Sequence, residues 1–359
     1  MRRSSGRFCI LGLLWWLFLP SAAFGEGGSW VRPTNPDDPL IWGRTDGMVF
    51  GLPSPGGMRG PRGLIRVGIL GKENHGPELI DFIAIEPVTV GPGRRFSRMA
   101  FSEIELSQLN PDERGKRLWV HIPDGEDRMR AAAGDLVTLP TKPEPIEQLT
   151  VRIEVETYDL NGAKVYVIVR MQSDTPDEIS FSVYQHTDSA PVEELALSAT
   201  MGNYERLRYL WLRNRLVDSR VLYGHDSDGP YGFMERECYP FVDMLRNWDG
   251  DAVVLCTANE ANPATVQDLK PPWWNYVSTK LTQYWRVPAK DIQPDLRVRV
   301  NGRRVYWMTE TAVPGGIAFE NFEVRQRYVP GQVFIFGLTT KEPWQFQPPL
   351  PGLPELPKE

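Results

Sequence analysis

"LTVRIEVETYDLNGAKVYVIVRM", residues 149–171, decides the fold class. Val151, Ile153 and Val155 alternate with Arg152, Glu154 and Glu156. Successive side chains of an extended strand point to opposite faces, so one face of this segment is apolar and the other charged. The "DLNG" tetrapeptide at 159–162 supplies turn chemistry, because Asn161 and Gly162 tolerate positive φ. Val165, Val167 and Val169 then resume the alternation. The stretch reads as an antiparallel hairpin with one buried face.

The same pattern recurs outward along the chain. "LIRVGIL" (64–70), "LIDFIAIEPVTV" (79–90), "EISFSVYQHT" (178–187) and "EELALSATM" (193–201) are branched, apolar and bounded by turn residues. "AVVLCTA" (252–258), "LRVRVNGRRVYWM" (296–308) and "QVFIFGLTT" (332–340) continue the series, with "NGRR" at 301–304 read as a tight hairpin turn. "NYERLRYLWLRNRLV" (203–217) suits a helix through Leu207, Leu210 and Trp211, and a strand through Leu210, Leu212 and Leu216. Its neighbours favour strand. Glycine and proline, 32 of each in 359 residues, imply many turns and few long helices. The expectation is an all-β protein: a large antiparallel β-sandwich, supersandwich-like, with a few short helices.

The N-terminus has a secretory leader's three-part anatomy. Arg2, Arg3 and Arg7 precede the apolar "FCILGLLWWLFLP" (8–20), and "SAAFG" (21–25) offers small residues for cleavage before Glu26. The apolar run is shorter than the ~20 residues of a membrane span. Losing the leader lowers the formal charge from −6 by three, to −9. An acidic product lacks the electrostatic footprint of a nucleic-acid binder. No basic amphipathic helix points to membrane binding, so no membrane insertion is expected after cleavage. Absence of any Asn-x-Ser/Thr sequon suits a bacterial export product, periplasmic or extracellular.

Residues 26–342 form the sandwich region in this reading. "TLPTKPEPIEQ" (138–148) is either a sub-boundary linker or a crossover between sheets. "PWQFQPPLPGLPELPKE" (343–359) is expected to be extended or disordered. Beyond the leader's Cys9, two cysteines remain, Cys238 and Cys256. An oxidising compartment permits a bridge between them, worth about 3 kcal/mol in the chain-entropy model; the alternative is two buried free thiols.

Chemistry concentrates in "YGHDSDGPYGFMERECYP" (223–240). With Gly224 at the first position of a calcium loop, Asp226 and Asp228 take the third and fifth and Glu235 the twelfth. Gly224 stands where a carboxylate is needed, so a turn with self-capping carboxylates competes with a Ca²⁺ site. For catalysis, His225 is the candidate proton donor and Glu235 and Glu237 the carboxylates, on one face if the segment is extended. Tyr231 and Arg236 lie beside them as substrate contacts. Burial among aromatics would separate the two carboxyl pKa values. Trp273, Trp274 and Tyr276 in "PPWWNYV" offer flat faces for sugar rings, or large apolar side chains for the core. His75, His121 and His186 read individually as strand-end imidazoles, with a composite of His75, His186 and His225 as the alternative. No paired-histidine metal motif, nucleophile elbow, dinucleotide fingerprint or P-loop occurs, and no cofactor is expected apart from Ca²⁺.

The strand pattern and "GIAFENFEV…GQVFIFGLTT" (316–340) resemble the two-sheet supersandwich of galactose-mutarotase-like proteins and related polysaccharide-lyase domains. That resemblance implies a sugar-facing concave sheet, a histidine acid (His225 here) and a carboxylate base (Glu235 or Glu237). It leads to a secreted protein that binds or processes carbohydrate by epimerisation, elimination or hydrolysis. A non-catalytic extracellular or envelope protein is the alternative.

Overall fold

The computed structural model describes residues 28–52, 62–70, 77–92, 98–102, 104, 115–141, 143–200, 206–224, 232–259, 280–305 and 312–356. Residues 1–27, which include the leader, lie outside this set. Among the described residues the chain builds two antiparallel sheets. The first runs in space Trp30–Val31 (β1), Ile41–Arg44 (β2), Met48–Gly51 (β3), Leu64–Leu70 (β4), Pro77–Pro92 (β5), Val192–Thr200 (β12), Ala318–Arg327 (β20), Arg297–Arg303 (β19) and Glu237–Pro240 (β15), with Arg98–Phe101 (β6) added to β5. The second runs Arg215–Asp218 (β14), Leu207–Leu212 (β13), Ala252–Ala258 (β17), Thr282–Val287 (β18), Val333–Thr339 (β21), Glu178–Gln185 (β11), Val165–Gln172 (β10), Ile146–Val155 (β9) and Leu118–Val120 (β7). Leu245–Arg246 (β16) pairs with β17, and Asp135–Leu139 (β8) with β9. Among the described residues, helices are confined to Arg128–Ala133 (α1), Ser219–Leu222 (α2) and single 3₁₀ turns.

The sheets pack face to face around one core. Val151, Ile153, Val165, Val167 and Val169 of the opening hairpin are buried in it, in one cluster with Ile83, Leu197 and Phe322 of the other sheet. Polar links cross the same space. Trp285 Nε1 donates to the Phe322 carbonyl at 2.8 Å. Gln283 Nε2 donates to the fully buried Asp81 carboxylate at 2.7 Å. Such pairing removes the desolvation cost that an unmatched buried group would carry.

Pro87 lies within a strand that is flanked on both sides for much of its length. Proline has no N–H for a ladder and belongs at a local edge. Here β4 pairs with β5 only as far as Ala84, and β6 begins at Thr89, so Pro87 falls in the gap. Its carbonyl accepts from Tyr158 Oη at 2.8 Å instead. Tyr158 sits in the loop joining β9 to β10, where Gly162 has φ 73° as the "DLNG" turn requires. The ladder stops on either side of that turn, and the loop reaches across to cap the other sheet. Asn161 Nδ2 donates to Thr89 Oγ1 there at 2.9 Å.

Several expectations are corrected. "NGRR" is no turn: β19 continues through Arg303, with a bulge at Asn301–Gly302. Asn301 Oδ1 accepts from the Asn321 amide, and the buried Tyr223 ring lies against Gly302, where a Cβ would come within 2.7 Å of it. Residues 138–148 are no linker; they contain the tip of the β8–β9 hairpin, with Leu139 opposite Ile146. The strand reading of 203–217 holds over its described part, 206–217, which contributes β13 and most of β14 and turns at Asn214 with φ 56°. The proline-rich segment opens with a 3₁₀ turn at Pro343–Gln345 and is seated over its described part, 343–356. Leu350 is buried with Phe346 and Leu353 beside it, against Trp211, Leu255 and Tyr284 on the outer side of the second sheet. Trp248 Nε1 donates to the Pro349 carbonyl at 3.0 Å, and the Asn214 amide to that of Gly352 at 2.7 Å.

Candidate functional site

Of the residues singled out in the sequence, His75, His225, Asp226, Asp228, Tyr231, Trp273, Trp274 and Tyr276 lie outside the described set. Much of the described remainder of the 223–240 stretch takes part in packing and strand pairing. Tyr223 and Tyr239 are core side chains. Glu235 is exposed and precedes β15, so strand alternation does not place it with Glu237. Glu237 pairs with Val300 at the sheet edge. Arg236 Nη1 lies 3.3 Å from the buried Glu323 carboxylate, which Arg299 approaches at 3.3 Å from the neighbouring strand. Arg236 therefore fastens an edge strand to its sheet.

Cys238 and Cys256 are free thiols: Cys238 is exposed on β15, whereas Cys256 is buried in β17 of the opposite sheet. No bridge forms, and only one of the two is buried. Trp285 and Tyr284 are also absorbed by packing, in the core and beneath the C-terminal segment. Among the described residues no three His, Cys, Asp or Glu side chains are arranged to hold a metal ion.

A different cluster assembles on the solvent side of the second sheet. Register places Trp119, Glu154, Tyr166 and Tyr184 in one row across β7, β9, β10 and β11. Directly opposed residues share a face. Trp119 is 46% exposed, and the Tyr166 and Tyr184 rings stack at 5.2 Å. His121 follows β7 on one side of the row, and His186 follows β11 on the other. Glu154, 8% exposed, lies between them.

The contacts are specific at each oxygen. Glu154 Oε1 lies 2.9 Å from His121 Nδ1 and accepts from Arg152 Nη2 at 2.7 Å and Nε at 2.8 Å. Oε2 lies 3.0 Å from His186 Nε2. The Arg152 guanidinium sits 4.0 Å from the Tyr166 ring centroid, and His186 meets that ring edge-on at 5.2 Å. Both imidazoles are about one-third exposed. When each donates N–H to Glu154, His121 Nε2 and His186 Nδ1 remain as acceptors. The arrangement offers two proton-transfer groups, one at each end of a fixed carboxylate, beside exposed aromatic surface.

Glu154 was visible in the sequence only as a polar residue alternating with core residues, and its two histidines only as strand ends. The usable signal was their joint position: both follow strands that flank the β9–β10 hairpin.

Other polar groups on the sheet faces neutralise one another. Glu194 is held by Arg297 at 3.1 Å and by Arg325. Burial works to raise the Glu194 carboxyl, but hydrogen bonds and charge from Arg297 and Arg325 outweigh it and hold its pKa below the usual carboxylate range. Arg286 bridges Glu178 and Asp251. Compared with known protein families, curated proteins and solved structures, the chain matches none.

Proposed function

We propose that the chain is an exported carbohydrate-binding or carbohydrate-processing protein whose working face is the Trp119–Glu154–Tyr166–Tyr184 row with His121 and His186. One observation carries this: a nearly buried carboxylate holds two partly exposed imidazoles, one on each oxygen, beside an exposed tryptophan. Flat aromatic faces suit the C–H faces of sugar rings, and paired imidazoles suit proton removal on one side of a carbon and return on the other. That chemistry is epimerisation or elimination, in preference to hydrolysis by two separated carboxylates. The substrate class takes its support from the sequence resemblance to galactose-mutarotase-like supersandwich proteins, and export from the leader's anatomy.

The non-catalytic alternative rests on the same contacts. Both Glu154 oxygens are already engaged, so the cluster would equally clamp the ends of β7 and β11 to β9. The two readings separate experimentally. Protein lacking residues 1–25 is screened against neutral sugars, uronides and polysaccharides by thermal shift and by deuterium uptake at sugar carbons. At least one saccharide should raise the melting temperature, and exposed Trp119→Ala should abolish that shift while leaving the unliganded Tm within a degree or two. Glu154→Gln should abolish deuterium uptake. No response across the panel, or a response unchanged in Trp119→Ala, would leave only the clamp.

A further inference from the structure

Toward the other end of the second sheet's strand order, a cavity of about 300 Å³ is lined by Arg213, Asn214, Arg246, Pro351 and Gly352. Six strand spacings separate β13 from β9, roughly 30 Å at ~4.8 Å each, so this cavity is distinct from the Glu154 cluster. We infer that it is a binding site for a tetrahedral oxyanion, a phosphate or sulfate group borne on a small molecule.

The walls are tied together by backbone. The Arg213 amide donates to the Asp243 carbonyl at 2.7 Å, and the Asn214 amide to Gly352 at 2.7 Å. Gly352 has φ 79°, and a Cβ there would come within 3.0 Å of Arg213 Cγ, so glycine lets the C-terminal segment close the cavity. Arg246 is aimed by stacking: its guanidinium carbon lies 3.3 Å from the Phe241 ring centroid. Its Nη1 is fully buried and has no hydrogen-bond partner.

Neither arginine has a carboxylate partner among the described residues. This contrasts with Arg236, Arg286, Arg297, Arg299 and Arg325, which all do. Burial, with the charge of Arg213 second, lowers the Arg246 pKa from its ordinary value. The exposed Arg213 guanidinium is solvated, but its charge adds to the burial cost of the Arg246 cation, and an anion held between the two offsets both. Guanidinium forks match the oxygen geometry of such an anion, and two of them match a doubly charged one. The volume exceeds that of a bare phosphate, which leaves room for the group carrying it.

This assignment is independent of the saccharide reading, and its test needs no saccharide turnover. The folded chain is titrated with inorganic phosphate and with sulfate at constant ionic strength, followed by calorimetry and thermal shift. Sulfate and phosphate also stabilise proteins generically by exclusion from the surface, so the variants decide. Saturable binding is expected in the wild type, weakened at least tenfold in Arg213→Gln and in Arg246→Gln, and largely retained in Arg213→Lys. Arg213 is exposed, so its replacement leaves the fold as a control should Arg246→Gln lose its stacking on Phe241. Absence of saturable binding, or equal stabilisation of the wild type and Arg213→Gln, would overturn the assignment. So would binding of glucuronate without phosphate or sulfate, which would make the site a carboxylate site.

Discussion

Replacing Leu350 with alanine should loosen the C-terminal segment without unfolding the sandwich. Leu350 is 7% exposed and is the buried residue of residues 343–356 that packs with Trp211, Leu255 and Tyr284. Truncation to alanine removes about 2 kcal/mol of apolar burial, at the low end for such changes because a surface segment can settle into the gap. Freeing a segment also returns backbone entropy of ~1–2 kcal/mol per residue, so its net docking free energy is far smaller than its contacts suggest. The predicted response is therefore local. The Asn214 amide, which donates to Gly352 at 2.7 Å, reports docking directly. Its hydrogen-exchange protection should fall by roughly 30-fold, the equivalent of about 2 kcal/mol. Amides of β17 and β18 should keep their protection, and the urea midpoint should move little. An unprotected Asn214 amide in the wild type, or one unaffected by Leu350→Ala, would refute the seated segment. A full 2 kcal/mol loss by global urea unfolding would instead show that the segment belongs to the cooperative core.

Two further outcomes follow from the fold. Tyr158→Phe strands the Pro87 carbonyl beside a strand gap and should cost about 1–2 kcal/mol in urea unfolding, against a few tenths if water replaces the hydroxyl. Glu194→Gln should change the acid limb of stability. A carboxyl whose folded pKa is depressed adds stability that is fully present above the ordinary carboxylate range and is lost as pH falls through the folded value. The wild-type advantage over Glu194→Gln should hold at neutral pH and shrink in that acid window; an advantage independent of pH would contradict the ion pairs with Arg297 and Arg325.

Strands were legible because burial on one face writes a period of two into the sequence, as in 149–171. "AVVLCTA" encodes more than a strand with one buried face. All seven residues are buried, which requires cover on both faces, and the cover on the outer side is the C-terminal segment. Proline content there limits regular structure to the 3₁₀ turn at Pro343–Gln345, but it says nothing about docking. "NGRR" misled because turn chemistry and bulge chemistry use the same residues; what separates them is Tyr223 lying on Gly302, a contact between distant segments. The candidate site was hidden for a similar reason. Trp119, Glu154, Tyr166 and Tyr184 become neighbours only through the pairing of four strands, and no local spacing encodes that register. The 223–240 stretch drew notice by its density of ionisable groups, yet its described part is largely spent on joining β15 to β19 and on core packing.

Histidine-selective NMR of the labelled chain during saccharide titration tests the proposed face most directly. The sequence has four histidines, so each ring can be assigned by substitution. The His121 and His186 ring signals should shift together and saturably with a bound saccharide, and Glu154→Gln should uncouple them. Shifts confined to His225 would return the site to the 223–240 stretch, and no shift at any ring would remove the Glu154 cluster from function.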